Sequence, residues 1–291
     1  MKATTKTTPP ADQTDSRWGF WLLLVIFLTF ATNLTAGILV APTVVFISDK
    51  SRTGRLDVQN PTNQPREVTI HFSYGLPESD SLGNVSVSLK DSGVVDPRAA
   101  VEWVKAFPRK LIIPPGGTQV VRLVANPPAG LADGEYWARI VVRSQEGEMA
   151  PPVALAEGAI TTKLNMIMQT AIMLKYRKGN LAAKLDMPKV SARLTDSSIV
   201  VMTDFNNLGN ASYVGLLNVR VLDATKKEVT HQQADLAVYR GLRRRMDLPM
   251  KNLAGKPPFQ VEINVSTDGR TDISPDDMIR GNKIQELVAV E

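Results

Sequence analysis

Apolar and polar residues alternate along much of this chain of 291 residues, and the longest alternating stretch spans residues 160–177. Successive side chains of a β-strand point to opposite faces, so a repeat of two residues predicts a strand. No charged residue lies between Lys163 and Lys175. The β-branched residues of the stretch favour a strand over the helix that Met, Leu and Ala prefer. Five apolar residues share one face of the predicted strand: Leu164, Met166, Met168, Ile172 and Leu174.

Two interpretations explain a strand of about 15 residues, where most strands have roughly 3–10. In the first, it is a long core strand that closes one domain. In the second, it is a strand lent to a partner whose sheet it completes. The other predicted elements are arranged on either side of this stretch.

Shorter alternating segments precede the long strand, separated by turns rich in Gly, Pro and Asn. About seven such strands with apolar inner faces predict an immunoglobulin-like β-sandwich over residues 36–178. Residues 99–107 fit a strand or a short helix, and residues 76–84 and 144–158 have the composition of loops. Pro42 bends the first strand or confines it to a sheet edge. The predicted strands are 36–48, 55–58, 67–74, 85–89, a short strand within 108–117, 119–125 and 134–143.

A second β-rich region follows residues 178–180, which we interpret as a hinge between domains. Its clearest alternation runs over residues 259–265, and residues 284–290 form a final strand. This pattern predicts a smaller and more polar β-sandwich over residues 179–291. The predicted fold class is therefore all-β, with two immunoglobulin-like β-sandwich domains after an N-terminal segment, residues 1–35.

The N-terminal segment has the features of a signal peptide or a membrane anchor. A polar lead with Lys2, Lys6 and Arg17 precedes an apolar run. The run has about 14 residues, which suits a signal-peptide core better than a membrane span of about 20 residues. Positive charge before an apolar run sends the following chain across the inner membrane. Cleavage after Ala31 and retention as an inner-membrane anchor both predict that residues from about 40 onward lie in the periplasm.

The composition excludes several classes of function. The chain has no cysteine, so disulfides and thiolate metal sites are absent. Its net charge of +5 comes from scattered basic residues, without the basic stripe and stacking aromatics of a nucleic-acid-binding protein. His71 and His231 fall in separate predicted domains, and no catalytic or phosphate-binding motif occurs. We therefore predict no enzymatic activity, no metal, no cofactor and no nucleic acid partner.

The only dense basic run is formed by Arg243, Arg244 and Arg245. The simplest interpretation of such a run on a strand is a solvated sheet edge, because charged side chains are common there. The alternative is a docking patch for an acidic partner or for lipid headgroups.

Several segments of the first predicted domain resemble periplasmic pilus-assembly chaperones of the chaperone–usher pathway, which are PapD-like proteins of two β-sandwiches. The resemblance covers roughly residues 36–178, while the second predicted domain is similar only in its β-character and position. The matching segments are residues 55–61, residues 108–117 with residues 121–123, residues 131–137 and residues 169–177.

The resemblance implies a role for the long strand. In that family the seventh strand donates alternating bulky residues to an incomplete pilin sandwich, and the matching donors here are Leu164, Met166 and Met168. The implied partners are protein subunits with incomplete immunoglobulin-like folds and an outer-membrane usher. Further candidates for accessory binding on the same strand are Ile172, Leu174, Lys175 and Arg177.

The chain departs from the family at one functional point. The family anchors the C-terminal carboxylate of the pilin with an Arg on the first strand and a Lys on the seventh. The matching positions here are Thr43 and Met173, and neither carries charge. A buried carboxylate without a cation is unfavourable. The sequence thus predicts a periplasmic chaperone-like protein that stabilises surface-appendage subunits by strand donation. The alternative is a membrane-tethered immunoglobulin-like scaffold protein of the cell envelope.

Overall fold

The computed structural model describes residues 37–147, 166–250 and 255–291, which consist almost entirely of β-strands and their turns. The predicted all-β fold with two immunoglobulin-like sandwiches is confirmed. Within the described ranges, no helix combines the length and the apolar character that crossing a bilayer requires.

The predicted domain limits stay a prediction, because Gly37–Glu291 pack as one compact unit. The signal or anchor predicted for residues 1–35 lies outside the described residues. Strands of the first sandwich end at Lys178, and strands of the second begin at Leu185.

Two sheets build the first sandwich. One has the strand order β1-β3-β9-β7, the other has the order β2-β11-β10-β4-β8, and a hairpin of β5 and β6 stands apart from both. The strands are β1 (Leu39–Ala41), β2 (Val44–Ser48), β3 (Thr53–Gln59), β4 (Arg66–Ser73), β5 (Pro77–Ser79), β6 (Val85–Val87), β7 (Val104–Phe107), β8 (Lys110–Ile113), β9 (Thr118–Ala125), β10 (Gly134–Glu146) and β11 (Met168–Lys178).

Two more sheets build the second sandwich, with the orders β12-β13-β16 and β15-β14-β17-β18. A 3-10 turn, Pro275–Asp277, precedes the last strand. The strands are β12 (Leu185–Leu194), β13 (Ser198–Asn207), β14 (Tyr213–Leu222), β15 (Glu228–Val238), β16 (Gly241–Pro249), β17 (Gln260–Ser266) and β18 (Ile284–Ala289).

The first strand of the chain changes sheets at Pro42. Before it, β1 pairs antiparallel with β3, and after it, β2 pairs parallel with β11 in the facing sheet. Proline has no N–H and cannot continue a ladder of backbone hydrogen bonds, so the chain leaves one sheet there. The single strand predicted over residues 36–48 is therefore two strands, with the bend where it was expected.

Two predicted loops contain strand residues. β10 continues to Glu146, beyond the predicted loop start at residue 144, and residues 148–158 lie outside the described residues. Residues 76–84 were expected to form a loop, but they contain β5 and the turn of a hairpin. Their Ser, Asp and Gly content suits that turn, because the Asp80 carboxylate accepts hydrogen bonds from the backbone N–H of Leu82 and of Asn84.

The hairpin of β5 and β6 connects the first sandwich to the second. The backbone N–H of Arg243 donates to Ser79 Oγ at 2.8 Å, and the N–H of Arg245 donates to the carbonyl of Gly83 at 3.2 Å. Val85 packs against the core of the second sandwich. The hairpin thus covers β16, which is the edge strand of its sheet.

Strand β11 is held by its inward-facing side chains. Ile172, Leu174 and Tyr176 lie two residues apart in the core of the first sandwich, beside Ile140 and Val142 of β10. All five residues 172–176 are buried, and the predicted alternation appears in which cluster they join, since Met173 packs in a separate one. The strand is therefore fixed in register before it reaches the second sandwich.

We expect Leu174→Ala to lower the free energy of unfolding by about 2–5 kcal/mol, because Leu174 is fully buried and its truncation leaves a cavity. Urea denaturation followed by circular dichroism measures the change. Leu287→Ala is the control, since Leu287 is 56% exposed on β18. Equal losses in the two variants would contradict the assignment of Leu174 to the core.

Candidate functional site

Strand β11 is paired over its whole length on one side only. It runs antiparallel to β10 from Met168, opposite Ser144, to Lys178, opposite Gly134. On the other side, β2 pairs only with residues 173–177. In the part of the chain that the structure describes, residues 168–172 have no strand on that outer side, which we call the open edge. Unpaired backbone groups at a sheet edge are a template for a further strand.

The path of the first strand explains the open edge. Parallel pairing of β2 with β11 begins at Val44, opposite Met173. Upstream of Pro42 the chain pairs with β3 in the facing sheet instead. The segment that could have covered residues 168–172 is therefore used elsewhere in the sandwich.

The predicted donor residues lie along the open edge and beyond it. Leu164 is outside the described residues, and Met166 is 56% exposed. Met168 is half-buried, and its sulfur packs so closely against Gly37 that a larger side chain at position 37 would clash with it. Since Met166 and Met168 have the same parity as core residue Ile172, they continue its face past the end of the core.

The four residues predicted for accessory binding already make contacts within this chain through their side chains. Ile172 and Leu174 belong to the core, and the Lys175 side chain is only 3% exposed. The Arg177 side chain is 15% exposed and is paired with Glu135. Accessory binding by these residues stays a prediction, and in the structure they support the strand rather than form a surface.

A buried carboxylate, Glu135 of β10, joins the two sandwiches. Trp137 Nε1 donates to Glu135 Oε1 at 2.8 Å, and Arg177 Nε donates to Oε2 at 2.9 Å. Lys175 Nζ lies 3.5 Å from Oε1 and donates to Ser212 Oγ at 2.6 Å. The Ser212 hydroxyl in turn donates to the same carboxylate oxygen. These five residues form the Glu135 cluster.

Aromatic rings and a hydrogen bond to the backbone extend the cluster to the second sandwich. Lys175 Nζ lies 5.1 Å from the ring centre of Tyr239, which meets Trp137 edge to face at 5.2 Å. Arg177 stacks on Phe46 at 4.2 Å and donates to the backbone carbonyl of Asp277 at 2.6 Å. The outward face of β11 therefore binds the second sandwich, while its inward face fills the core of the first.

The electrostatics of the cluster depend on pairing. Burial alone would disfavour the ionised form of Glu135, but Lys175 and Arg177 outweigh it and hold the pKa of Glu135 below its usual 4.5. Burial lowers the pKa of Lys175 below its usual 10.5, although Glu135 opposes that shift. The cluster is stable only as a complete set, because removing one charge leaves the others buried without a partner.

Thr43 and Met173, the positions at which the sequence resemblance implies a cation, have different surroundings. Thr43 is exposed and lines a groove of about 330 Å³ between the sandwiches, together with Arg55, Asp272 and Asp277. Met173 is 4% exposed and packs with Tyr74, Leu76, Trp137 and Tyr239. Arg55 is paired with Asp57, with Nε 2.9 Å from Oδ1.

The residues that the structure describes hold no group of three or more His, Asp or Glu side chains able to bind a metal ion. His71 lies on β4 and His231 on β15, in different sandwiches. His71 Nε2 lies 3.9 Å from Asp91 Oδ1, and His231 Nδ1 lies 2.7 Å from Glu228 Oε1. The absence of a metal, a cofactor and an enzymatic activity stays a prediction.

Sequence reasoning missed the Glu135 cluster. Glu135 stands at the start of a strand next to Gly134, where a charged residue is usually exposed, and Ser212 is distant in sequence. One signal was available. Lys175 and Arg177 share the face opposite the core on an otherwise apolar strand, which indicates a buried acidic partner for that face.

No family model and no curated protein matches this chain. Several crystal structures of pilus chaperones are similar to it. A chain of the CsuC–CsuE chaperone–tip adhesion subunit pre-assembly complex of Acinetobacter baumannii has 12% identity and a TM-score of 0.44, covering 88% of this chain and 98% of that one. A chain of the SafA pilin–SafB chaperone complex of Salmonella enterica has 17% identity and a TM-score of 0.43, covering 89% and 99%.

The CupB2 chaperone of Pseudomonas aeruginosa has 12% identity and a TM-score of 0.41, with 87% of this chain and 100% of that chain covered. The chain is thus similar to pilus chaperones, in line with the resemblance predicted from its sequence.

We expect Glu135→Gln to lower the free energy of unfolding by about 3–5 kcal/mol at pH 7, because Lys175 and Arg177 then stay buried without a counter-charge. Glu262→Gln is the control. It removes a carboxylate that is 16% exposed and paired with the 45% exposed Arg220, and the loss should be clearly smaller than that of Glu135→Gln, because water still reaches this pair. Urea denaturation measures both.

The contribution of Glu135 to the free energy of unfolding should decrease at acidic pH. Since the pKa of Glu135 is lower in the folded state, its contribution is present above its unfolded value of 4.5 and is lost as pH falls through the folded value. The stability difference between wild type and Glu135→Gln should therefore be constant from pH 7 to about 5 and shrink as the pH falls below 4.5. A difference that does not shrink below pH 4.5 would argue against a buried Glu135 that is ionised in the folded state.

Proposed function

We propose that this protein is a periplasmic chaperone-like protein that binds subunits of a surface appendage by donating a β-strand. The donor is the segment that contains Leu164, Met166 and Met168, together with the open edge of β11. The partners are subunits with incomplete immunoglobulin-like folds, which would pass from this protein to an outer-membrane usher.

The observation that carries the proposal is the open edge itself. Residues 168–172 are fixed in register by β10 on one side, while the described residues provide no strand on the other. A subunit that lacks a strand has unpaired backbone groups and an apolar groove, which aggregate unless they are covered. A strand added there pairs the backbone groups, and its alternate side chains fill the groove.

The chemistry of the donor residues supports the same proposal. Met166 is 56% exposed and Met168 is half-buried, so both lie at the transition from core to solvent. Methionine is unbranched and flexible, and it adapts to pockets of irregular shape. A row of such side chains would suit a chaperone that serves several related subunits.

A second candidate function is a membrane-tethered immunoglobulin-like scaffold protein of the cell envelope. One observation favours it: the cations of β11, Lys175 and Arg177, are engaged by Glu135 and are not available to anchor a subunit carboxylate. Thr43 and Met173 provide no charge either. A scaffold protein has no need of such an anchor, because it remains bound to one stable complex.

Met166→Glu tests strand donation. Met166 is exposed, so the variant should fold, while a carboxylate facing an apolar groove would be costly. We expect the wild type to copurify from envelope extracts with a small β-rich subunit. The variant should recover less than about a tenth as much of that subunit, because a loss of about 1.4 kcal/mol in binding free energy lowers the affinity tenfold. Quantitative mass spectrometry of the purified complexes measures the difference.

Leu287→Glu is the matched control, because Leu287 is also 56% exposed but lies on β18 of the second sandwich. It should recover the subunit as the wild type does. An unchanged partner set with Met166→Glu would exclude strand donation at this site. A single stable complex that both variants retain would favour the scaffold protein.

A further inference from the structure

The outer face of the sheet β12-β13-β16 contains a continuous groove. Cavities of about 420, 180 and 320 Å³ follow one another along this face. The first two share Asp204 and Arg243, and the second and third share Ser191 and Met202. Ser81 of the hairpin of β5 and β6 lines the first and the third. We call this feature the hairpin groove, since the hairpin forms one wall.

The floor of the hairpin groove is apolar at its centre. Met202 and Val200 point outward from β13 and are half-buried. Leu82, at the turn of the hairpin, is 60% exposed and faces the same cavity. An apolar side chain of a partner could therefore be buried on three sides here.

The charged side chains that line the groove are mostly cationic. The groove is lined by four cations and two carboxylates: Lys189, Arg193, Arg243 and Arg245, against Asp80 and Asp204.

Two of the three arginines of the dense basic run, Arg243 and Arg245, are already paired with carboxylates. Arg243 holds Asp204 with Nε–Oδ1 and Nη2–Oδ2 distances of 2.7 and 2.8 Å. Arg245 holds Asp247 with an Nη2–Oδ1 distance of 2.8 Å. The basic run is thus neither a free patch nor fully solvated.

Two basic side chains of the neighbouring strand β12 are not engaged in ion pairs in the described residues. Within the described residues, neither Lys189 nor Arg193 of β12 forms a side-chain ion pair, and both are exposed. Lys189 lies opposite Asp204 of β13, whose carboxylate Arg243 already holds. They lie four residues apart on one face of a strand, which places them about 13 Å from each other at 3.3 Å per residue. Ser191 stands midway between them, opposite Met202 of β13.

We propose that the hairpin groove binds an extended acidic segment of a partner protein. Carboxylates four residues apart in that segment pair with Lys189 and Arg193, and an apolar side chain midway between them packs on Met202. An extended segment has the same rise per residue as β12, so the two spacings match. Charge complementarity and the apolar floor together select for this pattern.

Other classes of ligand fit the groove less well. Nucleic acid binding uses exposed aromatic rings for stacking, and the one aromatic side chain of the described lining, Phe205, is 1% exposed. A membrane surface is flat and cannot reach a floor that the hairpin partly covers. This site lies on the second sandwich and does not depend on strand donation by β11.

A labelled peptide tests the proposal. The probe is a fluorescein-labelled nonapeptide of threonine with glutamate at the third and seventh positions and leucine at the fifth. We expect it to bind the full-length protein saturably in fluorescence anisotropy, with weaker binding at high salt. Lys189→Glu combined with Arg193→Glu should weaken binding at least tenfold, and a peptide with lysine in place of glutamate should then bind the double variant.

The control is Lys226→Glu combined with Lys227→Glu, which makes the same charge change at an exposed turn. It should leave the affinity within about twofold of wild type, since exposed charges more than about 10 Å apart are largely screened at 0.1 M salt. Absence of saturable binding, or an equal loss in both double variants, would overturn the proposal. The proposal would also be overturned if the wild type bound phosphatidylglycerol vesicles or single-stranded DNA more tightly than the peptide and the variant with Lys189→Glu and Arg193→Glu lost that binding.

Discussion

A strand in a sheet has two rows of backbone hydrogen-bonding groups, and both rows must be paired with another strand or exposed to solvent. In this chain the constraint acts on β11. One row is satisfied by β10 over the full length of the strand, and the other only by the five residues of β2. The difference between these two lengths is the open edge. Its position is set by Pro42, where the first strand leaves one sheet for the other.

The same strand determines how the sandwiches are joined. Its inward face places Leu174 in the core, while its outward face delivers Lys175 and Arg177 to Glu135. Burying three charges carries a large desolvation penalty, and the cluster is stable because Ser212 and Trp137 complete its hydrogen bonds. Replacing a buried ion cluster by apolar side chains of similar volume is often neutral for stability, so its net contribution is small compared with the loss when one member is removed.

The sequence predicted the parity of β11 but not its surroundings. Alternation places Ile172 and Leu174 on one face, and the structure has them in the core. Alternation cannot show what covers the other face, because the residues that cover it, such as Ser212 and Tyr239, are distant from β11 in the sequence. The bend of the first strand at Pro42 was predicted from the chemistry of proline alone. Strand β6 lies within the strand predicted over residues 85–89, but β5 was missed, because three residues beside a turn resemble a loop locally and only pairing with β6 and docking on β16 distinguish them.

The lack of a cation at Thr43 and Met173 constrains how strand donation could work here. Residues of a strand direct their backbone groups alternately to the two edges, so five residues present about five groups, each worth roughly 0.5–1.5 kcal/mol net when bonded. Burial of an apolar side chain contributes about 1.5–3 kcal/mol. Two or three donors such as Met166 and Met168 therefore contribute as much as the whole open edge. Without a charged anchor, the apolar row must provide both the affinity and the register of a bound subunit, since a shift of one residue would turn every donor side chain away from its groove.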